Sequence, residues 1–295
     1  MSTKKYELDM CHGPLLYKIL IFALPLMLSC ILQLLFNAAD MIVVGHAEGP
    51  TALAAVGSTS SLINLLINLF MGLSVGANVL VAHFFAAKLE NDCQETVHTA
   101  ILISVLSGIF LAFVGFLLSK PILTLMGTPD DVLPMAVSYM RVYFLGMPVV
   151  LLYNFGSAIL RAIGDTKRPL AYLFIAGILN VILNLFFVIK LHMGVTGVAL
   201  ATVLSQVLSA YLIVRCLMKT EGYCHLSMKK LSIKGDKLLK MVKIGLPAGL
   251  QGAIFSISNV LIQSSINTFG SLAMAGNTAC SNLEGFVYNA MNAVH

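Results

Sequence analysis

PLMLSCILQLLFNAADMIVVG, residues 25–45, carries a single acid, Asp40, and no other charged residue. It overlaps a charge-free run from 19 to 39. A run of that length crosses a bilayer as one helix, which takes about 20 residues. Further charge-free runs follow at 49–87, 96–119, 142–160, 169–189, 191–214 and 244–283. The composition of the whole chain agrees, with 58% apolar and 11% charged residues and a mean hydropathy of +0.91. A soluble domain carries about 25% charged residues. The chain therefore reads as an all-α polytopic membrane protein. That class excludes a soluble enzyme, a secreted disulfide scaffold and a nucleic-acid binder.

Helices are expected near 16–44, 52–83, 98–118, 133–160, 169–190, 195–217, 244–268 and 272–295. With the N-terminus cytoplasmic, fifteen Lys and Arg, Lys4 and Lys5 among them, fall on the inner side, against Lys120 and Lys190 outside. That bias orients a multi-pass protein of the cell inner (plasma) membrane. The lysine-rich stretch 218–243 divides residues 1–217, six helices, from residues 244–295, the last two. It reads as a cytoplasmic basic inter-lobe linker, either a solvated tether or a short amphipathic helix on anionic lipid.

The last two helices restart the pattern of the first two. Leu24-Pro25 recurs as Leu246-Pro247, and LAAVG (Leu53–Gly57) as LAMAG (Leu272–Gly276), at offsets of 222 and 219. Such a parallel repeat is common in transporters, and two full units need about 440 residues. The expected architecture is a six-helix N-terminal lobe plus the first two helices of a second, repeat-related lobe, whose C-terminal part is absent from this chain.

Polar side chains in hydrocarbon either face a watery interior or join helices by hydrogen bonds. Ser29, Gln33, Asn37 and Asp40 step by four, four and three along one helix face. Ser61, Asn64 and Asn68 repeat the device, as do Asn180 with Asn184, Thr202 with Ser205, Gln206 and Ser209, and Ser256 with Asn259 and Gln263. Gln33, Asn37, Asn64, Asn68, Asn154, Gln206, Asn259 and Gln263 are the candidates for a substrate cavity. Asp40 is the only acid within the first six membrane segments. A carboxyl among apolar atoms gains or loses its proton as water reaches it or leaves, as an ion-coupled carrier requires. Pro25, inside its helix, is expected to kink it.

Other chemistries find little support. Six cysteines, at 11, 30, 93, 216, 224 and 280, include no CxxC pair, so no zinc site or disulfide framework is signalled. No HExxH, Walker A or Rossmann glycine pattern is present, and no cofactor is expected. Gly72-Leu73-Ser74-Val75-Gly76 matches the GxSxG of serine hydrolases, a pattern that works on a strand-to-helix turn. Here it falls in a membrane helix, and an intramembrane serine hydrolase is only a remote alternative.

Taken together, PLMLSCILQLLFNAADMIVVG, GLSVGANVLVAHFFAAK (Gly72–Lys88), LRAIGDTKRP (Leu160–Pro169) and NVILNLFFVIKLHMGVTGVALAT (Asn180–Thr202) resemble the multidrug and toxic compound extrusion (MATE) transporters, most closely the DinF-like branch. The resemblance implies a non-enzymatic antiporter that exports amphipathic or cationic organic compounds in exchange for H+ or Na+, as a monomer surrounded by lipid. It implies a coupling-ion site in the first lobe, H+ or Na+ being held at Asp40, Asn180, Asn184 and Thr202. The family's second acid stands where this chain has Asn184, which leaves Asp40 as the lone titratable group. A flippase for lipid-linked oligosaccharide or peptidoglycan precursors shares the architecture. It would need basic cavity residues, and Arg141 is the one candidate.

Overall fold

Long apolar runs broken by Gly and Pro fold into nine α-helices among the described residues. These are α1 (Leu15–Glu48), α2 (Pro50–Ala86), α3 (Glu90–Leu125), α4 (Leu133–Leu145), α5 (Met147–Ala162), α6 (Lys167–Asn184), α7 (Gly194–Lys219), α8 (Gly235–Asn267) and α9 (Ser271–Asn292). The computed structural model describes residues 15–220 and 222–292. Lys4, Lys5 and Cys11, with the cytoplasmic N-terminus expected for residues 1–14, lie outside the described residues, as do Glu221 of the expected linker and the end of the chain, 293–295.

Six of these helices are long and apolar enough to cross a membrane, and the bent pair α4–α5 makes a seventh. The protein is a multi-pass membrane protein. Phe113 (67% exposed), Leu125 (85%) and Phe255 (71%) are among the large apolar side chains on the outside of the bundle, a surface that suits hydrocarbon and not water. α9 holds Asn277, Thr278, Ser281, Asn282 and Glu284 in its 22 residues and does not reach the hydropathy of the others.

The breaks have local causes. Gly49 sits at φ 81° and Pro50 opens α2, a left-handed turn for which glycine is suited followed by a proline that needs no N–H partner. The segment expected as one helix over 133–160 is two, α4 and α5, bent by 51°. Gly146 ends the first and Pro148 lies in the opening turn of the second. Pro25, by contrast, lies inside α1, which stays helical through it.

α8 begins at Gly235, inside the stretch expected as linker, and residues 222–234 run beside α3. The Ser227 N–H donates to His98 Nε2 at 3.0 Å, and the Lys234 N–H donates to Thr99 Oγ1 at 3.1 Å. Lys237, on the first turn of α8, is buried. Its ammonium is paired with Asp92, stands 3.3 Å from Asp236 and 4.0 Å from Glu95, and lies 4.8 Å from the centroid of the Phe84 ring. Further along, GLSVG of α2 meets GLPAG of α8 (Gly245–Gly249), glycine against glycine. A Cβ on Gly72 would strike the backbone of Gly249 and Gly245, and one on Gly245 would stand 2.5 Å from Gly72 O. Asn68 donates to Ser256 Oγ at 2.9 Å, and near the far end Asn267 donates to Met126 O at 3.0 Å. α8 is thus fastened to α2 and α3 at both ends and in the middle.

Candidate functional site

Asp40 lies near the end of α1 away from the lysine-rich end of the bundle. Its placement depends on a glycine: Phe36, one turn earlier, fills the space where Gly177 of α6 has no Cβ. That contact draws α1 onto α6 beside Asn180 and Asn184, which lie one and two turns past Gly177. Thr202 approaches from α7.

The four residues expected to act together do meet. Asn184 Nδ2 donates to Asp40 Oδ1 and, at 3.3 Å, to Asn180 Oδ1. Asn180 Nδ2 donates to Thr202 Oγ1 at 3.3 Å, and Thr202 Oγ1 donates to Asp40 Oδ2 at 3.4 Å. Asn180 and Asn184 are 5% and 1% exposed. Asn184 Oδ1 is buried with no hydrogen-bond partner among the described residues. A ring of oxygens with one acceptor unused suits a hard monovalent cation or a proton. No group of three or more His, Cys, Asp and Glu that could hold a metal ion is present among the described residues, and one carboxylate, Asp40, supplies the charge here. The chain leaves α-helical geometry at this point: a π-helical turn, Leu185–Lys190, follows Asn184 directly. Such turns are frequent at functional sites.

The expected cavity residues divide. Gln33, Asn37, Asn64 and Asn259 have exposed side chains. Asn68 is bonded to Ser256, as described, and Asn154 donates to Val150 O of its own helix at 2.9 Å. Gln263 is buried and donates to Asn267 Oδ1 at 2.9 Å within α8, and it is Asn267 that reaches across to Met126 O. Gln206 keeps a buried Oε1 without a partner among the described residues. Arg141 stands over the Phe116 ring, 4.9 Å from its centroid. Ser74 is 2% exposed in mid-helix, between the two glycines that meet α8, and is not on the strained turn that a hydrolase nucleophile needs.

Two features escape the sequence reading. Tyr139 and Tyr143 of α4 are stacked, centroids 6.1 Å apart, within electrostatic reach of Asp40. Their i, i+4 spacing was a usable signal. A cleft of about 800 Å³ lies between α1 and α9, lined by Ala38, Met41, Ile42, Leu53, Leu272 and Leu283 among others. Its wall is mostly apolar, and the search for polar stripes missed it. Ala38 and Met41 flank Asp40, so cleft and acid share one turn of α1.

The MatE family model matches residues 25–186, which include Asp40, Asn180 and Asn184. Over 282 residues the chain is 29% identical to the "Probable multidrug resistance protein YpnP" of Bacillus subtilis (strain 168), covering 95% of this chain and 62% of that protein. An inward-facing structure of a multidrug resistance MATE family transporter of the MOP superfamily superposes with a TM-score of 0.77 at 28% identity, over 83% of this chain and 56% of the other. The MATE multidrug transporter DinF-BH shares the fold, with a TM-score of 0.85 at 21% identity over 94% of this chain and 61% of the other. The chain spans about three fifths of the length of the curated relatives it matches.

Proposed function

The chain belongs to the MATE family, and from that premise we propose that it serves as a secondary active antiporter, exporting amphipathic or cationic organic compounds in exchange for H+ or Na+. The observation that carries the reading is the ring of Asp40, Asn180, Asn184 and Thr202, with the buried Asn184 Oδ1 left unused. In the structure, Asn184 donates its N–H to Asp40. With a cation seated, rotation of the same amide offers Oδ1 in its place, so Asn184 keeps an oxygen in the ring although it supplies no charge. This is a first-lobe coupling site, as in the DinF-like branch.

Occupancy alters α1, because Asp40 is held from α6 and α7 while Ala38 and Met41, on the same turn, line the cleft. A cation that prefers one of two arrangements shifts their balance by its difference in affinity, and by no more. The apolar wall of the cleft takes the body of an amphipathic substrate. On this reading α1 to α7 belong to the first lobe and α8 opens the second. The excess of Lys and Arg at one end supports a cytoplasmic side there, with the N-terminus, in the inner (plasma) membrane. A flippase for lipid-linked pyrophosphates would call for basic groups in the cleft, and Arg141 is engaged with Phe116 instead.

The test is efflux of a cationic dye from vesicles under an imposed H+ or Na+ gradient, comparing wild type with Asp40→Asn. The reading expects gradient-driven efflux by the wild type and none by the variant. Equal efflux by both rejects it.

A further inference from the structure

Buried polar atoms in folded proteins nearly always have a partner, and one without a protein partner marks a place for water. Beyond Asn184 Oδ1 at the coupling site, Gln206 Oε1 and Ser209 Oγ of α7 are buried and have no partner among the described residues. Their positions are related. Thr202, Gln206, Ser209, Ile213 and Cys216 step by four, three, four and three, which stacks them along one face of α7. At one end of this face Thr202 bonds Asp40. At the other, Arg168 Nη1 lies 3.2 Å from Cys216 Sγ, and Arg168 is paired with Asp165, a fully buried acid in the turn between α5 and α6. From 202 to 216 the helix rises about 21 Å, most of the way across a hydrocarbon core of about 30 Å.

One apolar side chain interrupts this face. Ile213 is fully buried and seated on Gly156 of α5, where even a methyl would stand 2.6 Å from Ile213 Cγ2. No water fits in that contact.

We propose that this face of α7 is the hydrated route by which the coupling cation leaves Asp40 for the lysine-rich side, lined by Gln206 and Ser209 and barred by Ile213 against Gly156. The proposal rests on the coupling role given to Asp40. A cation released there faces an apolar interior that it cannot enter bare, since moving a charge out of water is too costly. The oxygens of Gln206 and Ser209 hold the water that accompanies it. A continuous water column would dissipate the gradient, so the barrier is needed as much as the lining. Ile213 supplies it in this conformation, and a small separation of α5 from α7 opens it.

The experiment is thiol labelling of the full chain, freed of its native cysteines, by a small cationic methanethiosulfonate from the lysine-rich side of sealed vesicles. Ser209→Cys reports the route, and Val207→Cys, on the opposite, outward face of α7, is the control. Ser209→Cys is expected to react faster than the control, and its rate is expected to rise about tenfold when Ile213 is also replaced by Ala. Ile213→Val, a change that cores tolerate, gives an intermediate rate and stands in if the Ala variant does not fold. The inference is overturned if Ser209→Cys stays unreactive, if its rate ignores the residue at 213, or if Val207→Cys reacts as fast. Labelling needs no transport. A dry α7 face overturns the route and leaves the coupling site standing, whereas gradient-driven efflux by Asp40→Asn removes the coupling site and leaves a hydrated face.

Discussion

The glycine contact between α2 and α8 gives a stability prediction of known sign. In Gly72→Ala the added methyl meets the Gly249 backbone nitrogen and Cα and the Gly245 carbonyl. All three are main-chain atoms of a facing helix, so no side chain can turn aside. Restoring an ordinary contact of about 3.5 Å pushes the helices about 1 Å apart. The nearby Asn68 to Ser256 bond of 2.9 Å is strained by the same movement. Overpacking costs about 1–3 kcal/mol, and a rigid backbone on both sides places this case near the top. Replacing glycine inside a helix returns about 0.5–1 kcal/mol, for a net loss near 2 kcal/mol. Gly276→Ala is the control: its methyl meets nothing within 4 Å among the described residues, and it gains about 0.5–1 kcal/mol. Thermal unfolding in detergent, followed by a thiol-reactive dye, reads both, because Cys93 and Cys216 are buried until the fold opens. If Gly72→Ala unfolds at or above the wild-type temperature, the close glycine contact is not what holds α8 to α2.

Other substitutions test other contacts. Lys237→Met strands Asp92, while Glu95 keeps Lys234 at 3.3 Å, and is expected to cost about 1–3 kcal/mol, between an exposed and a buried ion pair; the same thermal assay checks it, and an unchanged transition would show that the Lys237 pair contributes nothing. The sulfurs of Cys93 and Cys224 lie 3.5 Å apart, so a mild oxidant is expected to join them into a disulfide visible by mass spectrometry of the digested protein; failure to cross-link would mean that the segment before α8 does not lie on α3 as described. Thr202→Val removes the hydroxyl that bonds Asp40, and is expected to raise the ion concentration for half-maximal efflux about tenfold, the loss of roughly 1.4 kcal/mol; an unchanged ion dependence would exclude Thr202 from the site.

The residues of the proposed coupling site were legible because each stands out from an apolar background: Asp40 by charge, Asn180 and Asn184 by their four-residue step. Their meeting in space was implied by the family resemblance alone and not by their spacing, since it depends on Gly177 admitting Phe36, a contact between helices far apart in the chain. The bend at Gly146 was hidden because apolar residues continue across it, although the Gly-Met-Pro order was a signal. The start of α8 was misjudged because Lys237 looked like a solvated charge. Its burial depends on Asp92, Glu95 and Phe84, which the sequence places far away. Gln263 read as cavity lining because a polar residue on an apolar helix looks the same whether it faces water or Asn267.

The central claim is that a cation at Asp40 and the substrate move in opposite directions through one coupled cycle. In liposomes containing the protein, an imposed substrate gradient should drive measurable counter-movement of H+, read by a trapped pH dye, or of radioactive Na+. The account predicts this ion movement for the wild type and its absence in Asp40→Asn. Substrate-driven ion movement through Asp40→Asn, at the wild-type ratio of ion to substrate, would contradict it.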